Sequence, residues 1–158
     1  MKKRKNRGKK MRIGRYPFTI HADPLKESTA YPTHTHGLYD IGFPEFFMDP
    51  VAFGGKGNAG RIYCSYDYFK KPKNKVKLKS ILNGQTLKLT GRQLSRKRLS
   101  NDPYTYCFRE VPPEFEAVKL AYGSGIGDAN PGIKFIQIYV DGDDHVLMDE
   151  YYRGGVRW

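Results

Sequence analysis

His34 and His36 stand two residues apart in YPTHTHGLYDIGFPEFFMDP, residues 31 to 50, a largely apolar run that also carries Asp40, Glu45 and Asp49. Side chains alternate along an extended strand, so both imidazoles project from one face. A pair so placed can ligate one metal ion. Asp40 and Glu45 nearby, or Asp143, Asp144 or His145 from a C-terminal turn, could complete a mixed histidine and carboxylate set for Zn, Mn, Fe or Ni. A divalent metal held this way would suit a metal-dependent hydrolase or phosphoesterase centred on His34 and His36. The plainer reading is a decorated sheet face. An H-x-H pair also opens the metal motif of cupin barrels, but the acid and glycine spacing that follows here departs from that motif.

A second chemistry is carried by charge. The 158-residue chain has 28 Lys and Arg against 16 Asp and Glu, a formal net charge of +12. Residues 1 to 15 hold nine cations and residues 70 to 98 hold eleven, with no acid in either block. From Glu110 onward the balance reverses, with nine acids against Lys119, Lys134, Arg153 and Arg157. Such segregation attracts polyanions by counterion release and steers their approach. Lys73, Lys75, Lys77 and Lys79 alternate with other residues; on a strand they would share one face at roughly 6.6–7 Å intervals, close to phosphate spacing. Edge-strand lysines also discourage sheet-to-sheet association. Arg92, Arg96, Lys97 and Arg98 extend the block, and abundant Tyr offers base-stacking surfaces. No RNA-recognition, zinc-finger or helix-turn-helix signature accompanies them.

Gly55 to Gly60, GKGNAG, fits G-x-G-x-x-G and would offer phosphate contacts from Lys56 and Arg61 if it joined a strand to a helix. The acid expected about twenty residues on is missing, which argues against a dinucleotide fold. GSGIG at 123 to 127 precedes a strand, the reverse of the required order. Cys64 and Cys107 form no C-x-x-C pair, so neither a zinc ribbon nor a thioredoxin-type site is supported, and two buried thiols in a reducing cytoplasm are expected. No G-x-S-x-G elbow is present, and Glu114 and Glu116 suit a helix start better than acid–base catalysis. No apolar segment is long enough to cross a bilayer, and no secretory h-region follows the basic start.

The elements that would position these groups read as follows. Residues 1 to 15 lack apolar content and repel themselves, which predicts a disordered basic arm. Strands are expected at 16–21, 31–41 with Gly37 as a bulge or close approach, 43–48, 104–111 and 133–140, and Asp23-Pro24 turns the first into the second. Residues 61 to 71 suit a helix or a strand, with helix preferred. Residues 73–80 and 85–90 read as a hairpin about Asn83-Gly84. Gly91 to Asn101 reads as a loop or short helix, 114–122 as a helix, 123–132 as a loop, and 145–151 as a strand paired across Asp141–Asp144. Together they predict a single α+β domain over 16–158, with a mostly antiparallel sheet and one or two short helices.

Tyr16-Pro17, then Thr35 to Leu38 with Pro44-Glu45, then Gln137 to Gly142, form a pattern that resembles the bacterial domain-of-unknown-function family 4262. The resemblance covers about two thirds of the chain, omits the arm and the block from Lys70 to Arg98, and implies a fold class without an activity. The expectation drawn from the residues is a noncatalytic protein that binds nucleic acid or a ribonucleoprotein surface through phosphate contacts. The alternatives are the histidine-centred hydrolase and a binder of an acidic protein.

Overall fold

The computed structural model describes residues 16–22 and 31–153. The basic arm and the Asp23-Pro24 turn lie outside the described residues. Six strands form one sheet in the order β1-β2-β3-β6-β5-β4: β1 Thr19–His21, β2 Thr33–His36, β3 Glu45–Met48, β4 Leu87–Thr90, β5 Thr105–Val111 and β6 Phe135–Val140. All neighbours are antiparallel except β3 and β6, which run parallel. The α+β expectation, with its mostly antiparallel sheet, is met, although the helices are more numerous than one or two.

Alternation sorts the side chains onto two faces. Ile20, Phe46, Met48, Leu89, Tyr106, Phe108, Ile136 and Ile138 join the larger core, which is covered by α1 Gly54–Phe69, α2 Lys75–Leu82 and α3 Gly91–Leu94. Phe47, Val111 and Phe135 point the other way, toward α4 Glu116–Tyr122 and α6 Asp149–Arg153. The central strands β3 and β6 are therefore apolar on both sides, as strands sandwiched between helical layers must be. Each fully buried Phe there contributes roughly 1.5–3 kcal/mol of transfer free energy.

Helix α1 settles the ambiguous segment 61–71 and absorbs the glycine run before it. Asn58, Ile62, Ser65 and Phe69 recur at helical spacing and are all buried. Asn58 fastens this helix, donating to Thr33 Oγ1 (3.2 Å) and the Asp49 carbonyl (2.7 Å) while accepting from the Phe53 amide (3.2 Å). Gly55 and Gly57 answer to packing: a Cβ would lie 2.9 Å from Ala22 Cβ and 2.7 Å from Phe53 Cβ, respectively.

Residues 73–80 correct the hairpin expectation. Pro72–Asn74 is a 3-10 turn that leads into α2, and β4 pairs with β5. Lysine alternation concealed a second pattern in which Asn74, Leu78, Ile81 and Leu82 fall on one helical face against the core. Asn83-Gly84 ends the helix, with Gly84 at φ +95°. Residues 144–153 differ too: a 3-10 turn Asp144–Leu147 and helix α6 replace the expected strand. Asp149 and Glu150 occupy the first turn of α6, where acids favour the helix dipole. Gln137 clamps this region, donating to the Val146 carbonyl (2.8 Å) and to Tyr152 (3.3 Å) while accepting from Arg109 Nε (2.9 Å). The 123–132 loop holds one short helix, α5 Ile126–Ala129.

Candidate functional site

The end of α1, the start of α2 and the segment after α3 enclose a cleft of about 520 Å³. Its cations are Lys71, Lys73, Lys77, Arg96 and Lys97. One helical turn brings Lys73 and Lys77 to the same side, whereas residues two apart on a helix point about 200° apart. Lys75 and Lys79 accordingly lie on a second row away from the cleft. The single-face lysine row expected from strand alternation is thereby corrected to two rows, of which one lines the cleft.

Asn74 and Tyr68 build the floor. Asn74 is buried and donates to the Tyr68 carbonyl at 2.8 Å, which fixes the entry to α2. Lys77 Nζ donates to the Tyr68 hydroxyl at 2.7 Å and lies 5.4 Å from that ring. The thin rim at Gln93 is held by a capping box in which Thr90 Oγ1 accepts from the Gln93 amide and Gln93 Oε1 accepts from the Thr90 amide. Asp67 is the one acid of the cleft lining, and it is committed elsewhere: Tyr16 donates to it at 2.8 Å, and Lys70 and Arg98 pair with it at 3.2 and 3.9 Å.

Of the eleven cations between residues 70 and 98, Lys70, Lys88 and Arg98 have acidic partners, with Lys88 on Asp141 at 3.2 Å. The other eight have none within ion-pair distance among the described residues. Four of the expected contact residues, Lys73, Lys77, Arg96 and Lys97, are brought together. Lys75, Lys79 and Arg92 are exposed outside the cleft, and Arg98 is turned toward Asp67, Tyr16 and Cys64. Lys71 and Tyr68 were missed from sequence. Lys71 is part of the basic block, but only the turn at Pro72 places it beside Lys73.

Arg61, expected as a phosphate contact, is engaged by partners within the fold. Its Nη2 pairs with Asp102 at 2.9 Å, its Nε donates to the Tyr106 hydroxyl at 2.7 Å, and its guanidinium lies 3.6 Å over the Phe53 ring. Burial, with the Asp102 hydrogen bond, raises the Tyr106 phenol far above its ordinary value. Lys56 is exposed inside α1, and the run from Gly55 to Gly60 lies within that helix rather than in the loop joining it to β3, so the glycine loop expected to cradle phosphate does not form.

On the opposite sheet face, at the β1 edge, lie the histidines. His34 and His36 do share a face, and their Nε2 atoms are 3.0 Å apart. His21 joins them because β1 pairs antiparallel with β2 and sets it directly opposite His34. Asp40 is exposed on the 3-10 turn Tyr39–Ile41, and Glu45 accepts from Thr35 Oγ1 (2.7 Å) and the Tyr39 amide (3.0 Å). Neither acid joins the group, nor does an acid or His145 of the C-terminal turn. The mixed histidine and carboxylate set is therefore replaced by three histidines. Burial pushes His34 down to about 4 despite its backbone hydrogen bond to Pro32, and burial also lowers His36. Both rings are held toward their neutral forms, as metal ligands require. His21 was missed because its relation to His34 is a matter of strand register, which spacing of thirteen residues does not reveal.

Both cysteines are free and buried. Burial, reinforced by Asp141, pushes the Cys107 thiol up to about 11, so it is a poor nucleophile at neutral pH. Among the described residues no helix is long and apolar enough to cross a membrane. Comparison with family models, curated proteins and solved structures finds no match.

Proposed function

We propose that this protein binds nucleic acid, or the nucleic-acid surface of a ribonucleoprotein, through phosphate contacts made in the cleft between α1, α2 and the segment after α3. One observation carries the reading: Lys71, Lys73, Lys77, Arg96 and Lys97 converge on one concave surface without acidic partners. Clustered like charges cost folding free energy through mutual repulsion, so an anionic partner that neutralises them gains what the free protein loses. Lysines recognise phosphate as point charges, which favours backbone contact over base reading. Tyr68, buried at the floor, holds Lys77 toward the cleft through its hydroxyl. Nine further cations in residues 1 to 15 add to the chain's attraction for a polyanion. A cytoplasmic setting, where nucleic acid is abundant and thiols stay reduced, suits the two free cysteines. The resemblance to family 4262 is part of the same proposal but implies no activity of its own.

The test is fluorescence anisotropy with a labelled single-stranded oligonucleotide, with polyglutamate of equal charge as competitor. The reading predicts binding at low salt that weakens steeply as salt rises, with polyglutamate a poor competitor. Equal competition by polyglutamate would favour an acidic protein partner instead, and no binding at low salt would refute both.

A further inference from the structure

His21, His34 and His36 form a preorganised tripod. The nitrogen offered by each lies within 4.8 Å of the other two, and the ring centroids are 4.4 to 5.4 Å apart. A tetrahedral ion with bonds of about 2.0–2.1 Å needs ligand nitrogens roughly 3.3 Å from one another. The His34–His36 pair, hydrogen-bonded Nε2 to Nε2 at 3.0 Å in the free protein, is close to that spacing, and a bound ion would take the place of the proton the two share. The wider spacings involve His21, an exposed side chain at the sheet edge whose ring stacks on His34 and meets His36 edge-on, so that a change of side-chain rotamer brings its nitrogen to the ion.

The tautomer of His34 is also set. Its Nδ1 is 2.8 Å from the Pro32 carbonyl oxygen, which can only accept, so Nδ1 carries the proton and Nε2 presents a lone pair to the cluster. A ligand histidine that donates its far N–H to a backbone carbonyl is the usual way a protein orients a metal-binding imidazole. Around the rings stand Tyr31, with its centroid 5.2 Å from that of His34, and Tyr122, at 4.9 Å from His34 and 5.3 Å from His36. Phe47 lies directly opposite His34 on β3. This wall is buried on the side of His34 and open on the side of His21.

We infer that the β1–β2 edge is a binding site for one divalent transition-metal ion, held by His21, His34 and His36. Three neutral nitrogens select a borderline ion such as Zn2+ over Mg2+ or Ca2+, which prefer oxygen. Three protein ligands also leave a fourth position, which faces solvent beside His21 and takes water or an exogenous anion. The site lies across the sheet from the basic cleft and is independent of it.

Isothermal titration with zinc chloride, paired with the visible spectrum of the Co2+-loaded protein, tests the inference. One ion per chain is expected, with the intense d–d absorption of a tetrahedral Co2+ centre. His21→Asn and His36→Ala, both at solvent-reaching positions, should each weaken binding on the order of 100-fold. His145→Ala, which removes the remaining histidine, should leave affinity unchanged. His34→Ala empties a buried position, so its circular dichroism is recorded alongside; the two solvent-reaching variants carry the test if it misfolds. Absent stoichiometric binding by the wild type, or affinity unmoved in both solvent-reaching variants, would overturn the site.

Discussion

Arg61 on α1 reaches Asp102, 41 residues away, and pairs with it at 2.9 Å while Tyr106 donates to the same carboxylate oxygen at 2.6 Å. The Asp102 side chain is 4 % exposed, so this carboxylate depends on both partners. Removing one partner of a buried pair leaves a charge without compensation. Arg61→Ala should therefore destabilise the fold by about 3 kcal/mol, lowering Tm by roughly 6–12 °C, while oligonucleotide affinity stays within twofold. A large loss of affinity at unchanged Tm would return Arg61 to the binding surface.

The same triad makes a prediction at alkaline pH. Burial first, then the Asp102 hydrogen bond, disfavour the ionised form of Tyr106 in the folded protein. Unfolded tyrosine gives up its proton near pH 10, so the stability this group contributes is fully present below that pH and is lost as pH rises further. Urea unfolding at pH 8 and pH 11 should show a smaller alkaline loss in Tyr106→Phe than in the wild type. Equal losses would mean that other tyrosines, such as Tyr139, raised to about 12 mainly by burial, dominate the dependence.

Gly37 follows β2 at φ +105°, and an added Cβ would lie 3.4 Å from the Phe18 backbone. The positive φ opposes a side chain, whereas the contact itself is of ordinary van der Waals length. Gly37→Ala should cost at least 1–2 kcal/mol or so, lowering Tm by roughly 2–8 °C by differential scanning calorimetry. Gly60→Ala is the control, because an added Cβ there meets nothing within 4 Å and glycine in a helix interior is unfavourable. It should hold or raise Tm.

What the sequence made legible tracks how local each feature is. Strands β3, β5 and β6 were readable from continuous apolar runs, whereas Gly37, expected as a bulge or close approach inside a strand over 31–41, follows a strand that ends at His36. Helix α2 was not readable, because its lysines repeat every two residues while its apolar positions repeat at 3.6, and the more conspicuous period was the misleading one. Helix α6 was missed for a related reason, since Tyr151 and Tyr152 suit a strand by composition and tertiary packing decided otherwise. At the sites, His34 and His36 were visible as an adjacent pair. His21 and the grouping of Lys71 with Arg96 depend on strand register and helix docking, which are long-range consequences of the fold.

The two lysine rows formed by α2 and the 3-10 turn before it give the most direct test of phosphate binding in the cleft. Oligonucleotide affinity is measured against salt for the wild type, for the cleft variant Lys73→Gln, Lys77→Gln, Lys97→Gln, and for the outward variant Lys75→Gln, Lys79→Gln. Each lost phosphate contact should flatten the plot of log K against log salt by about 0.7–0.9. The cleft variant should therefore lose on the order of 2 from its slope, with affinity at low salt reduced at least tenfold, while the outward variant stays close to the wild type. A cleft variant indistinguishable from the wild type, or an outward variant that loses as much, would contradict the account.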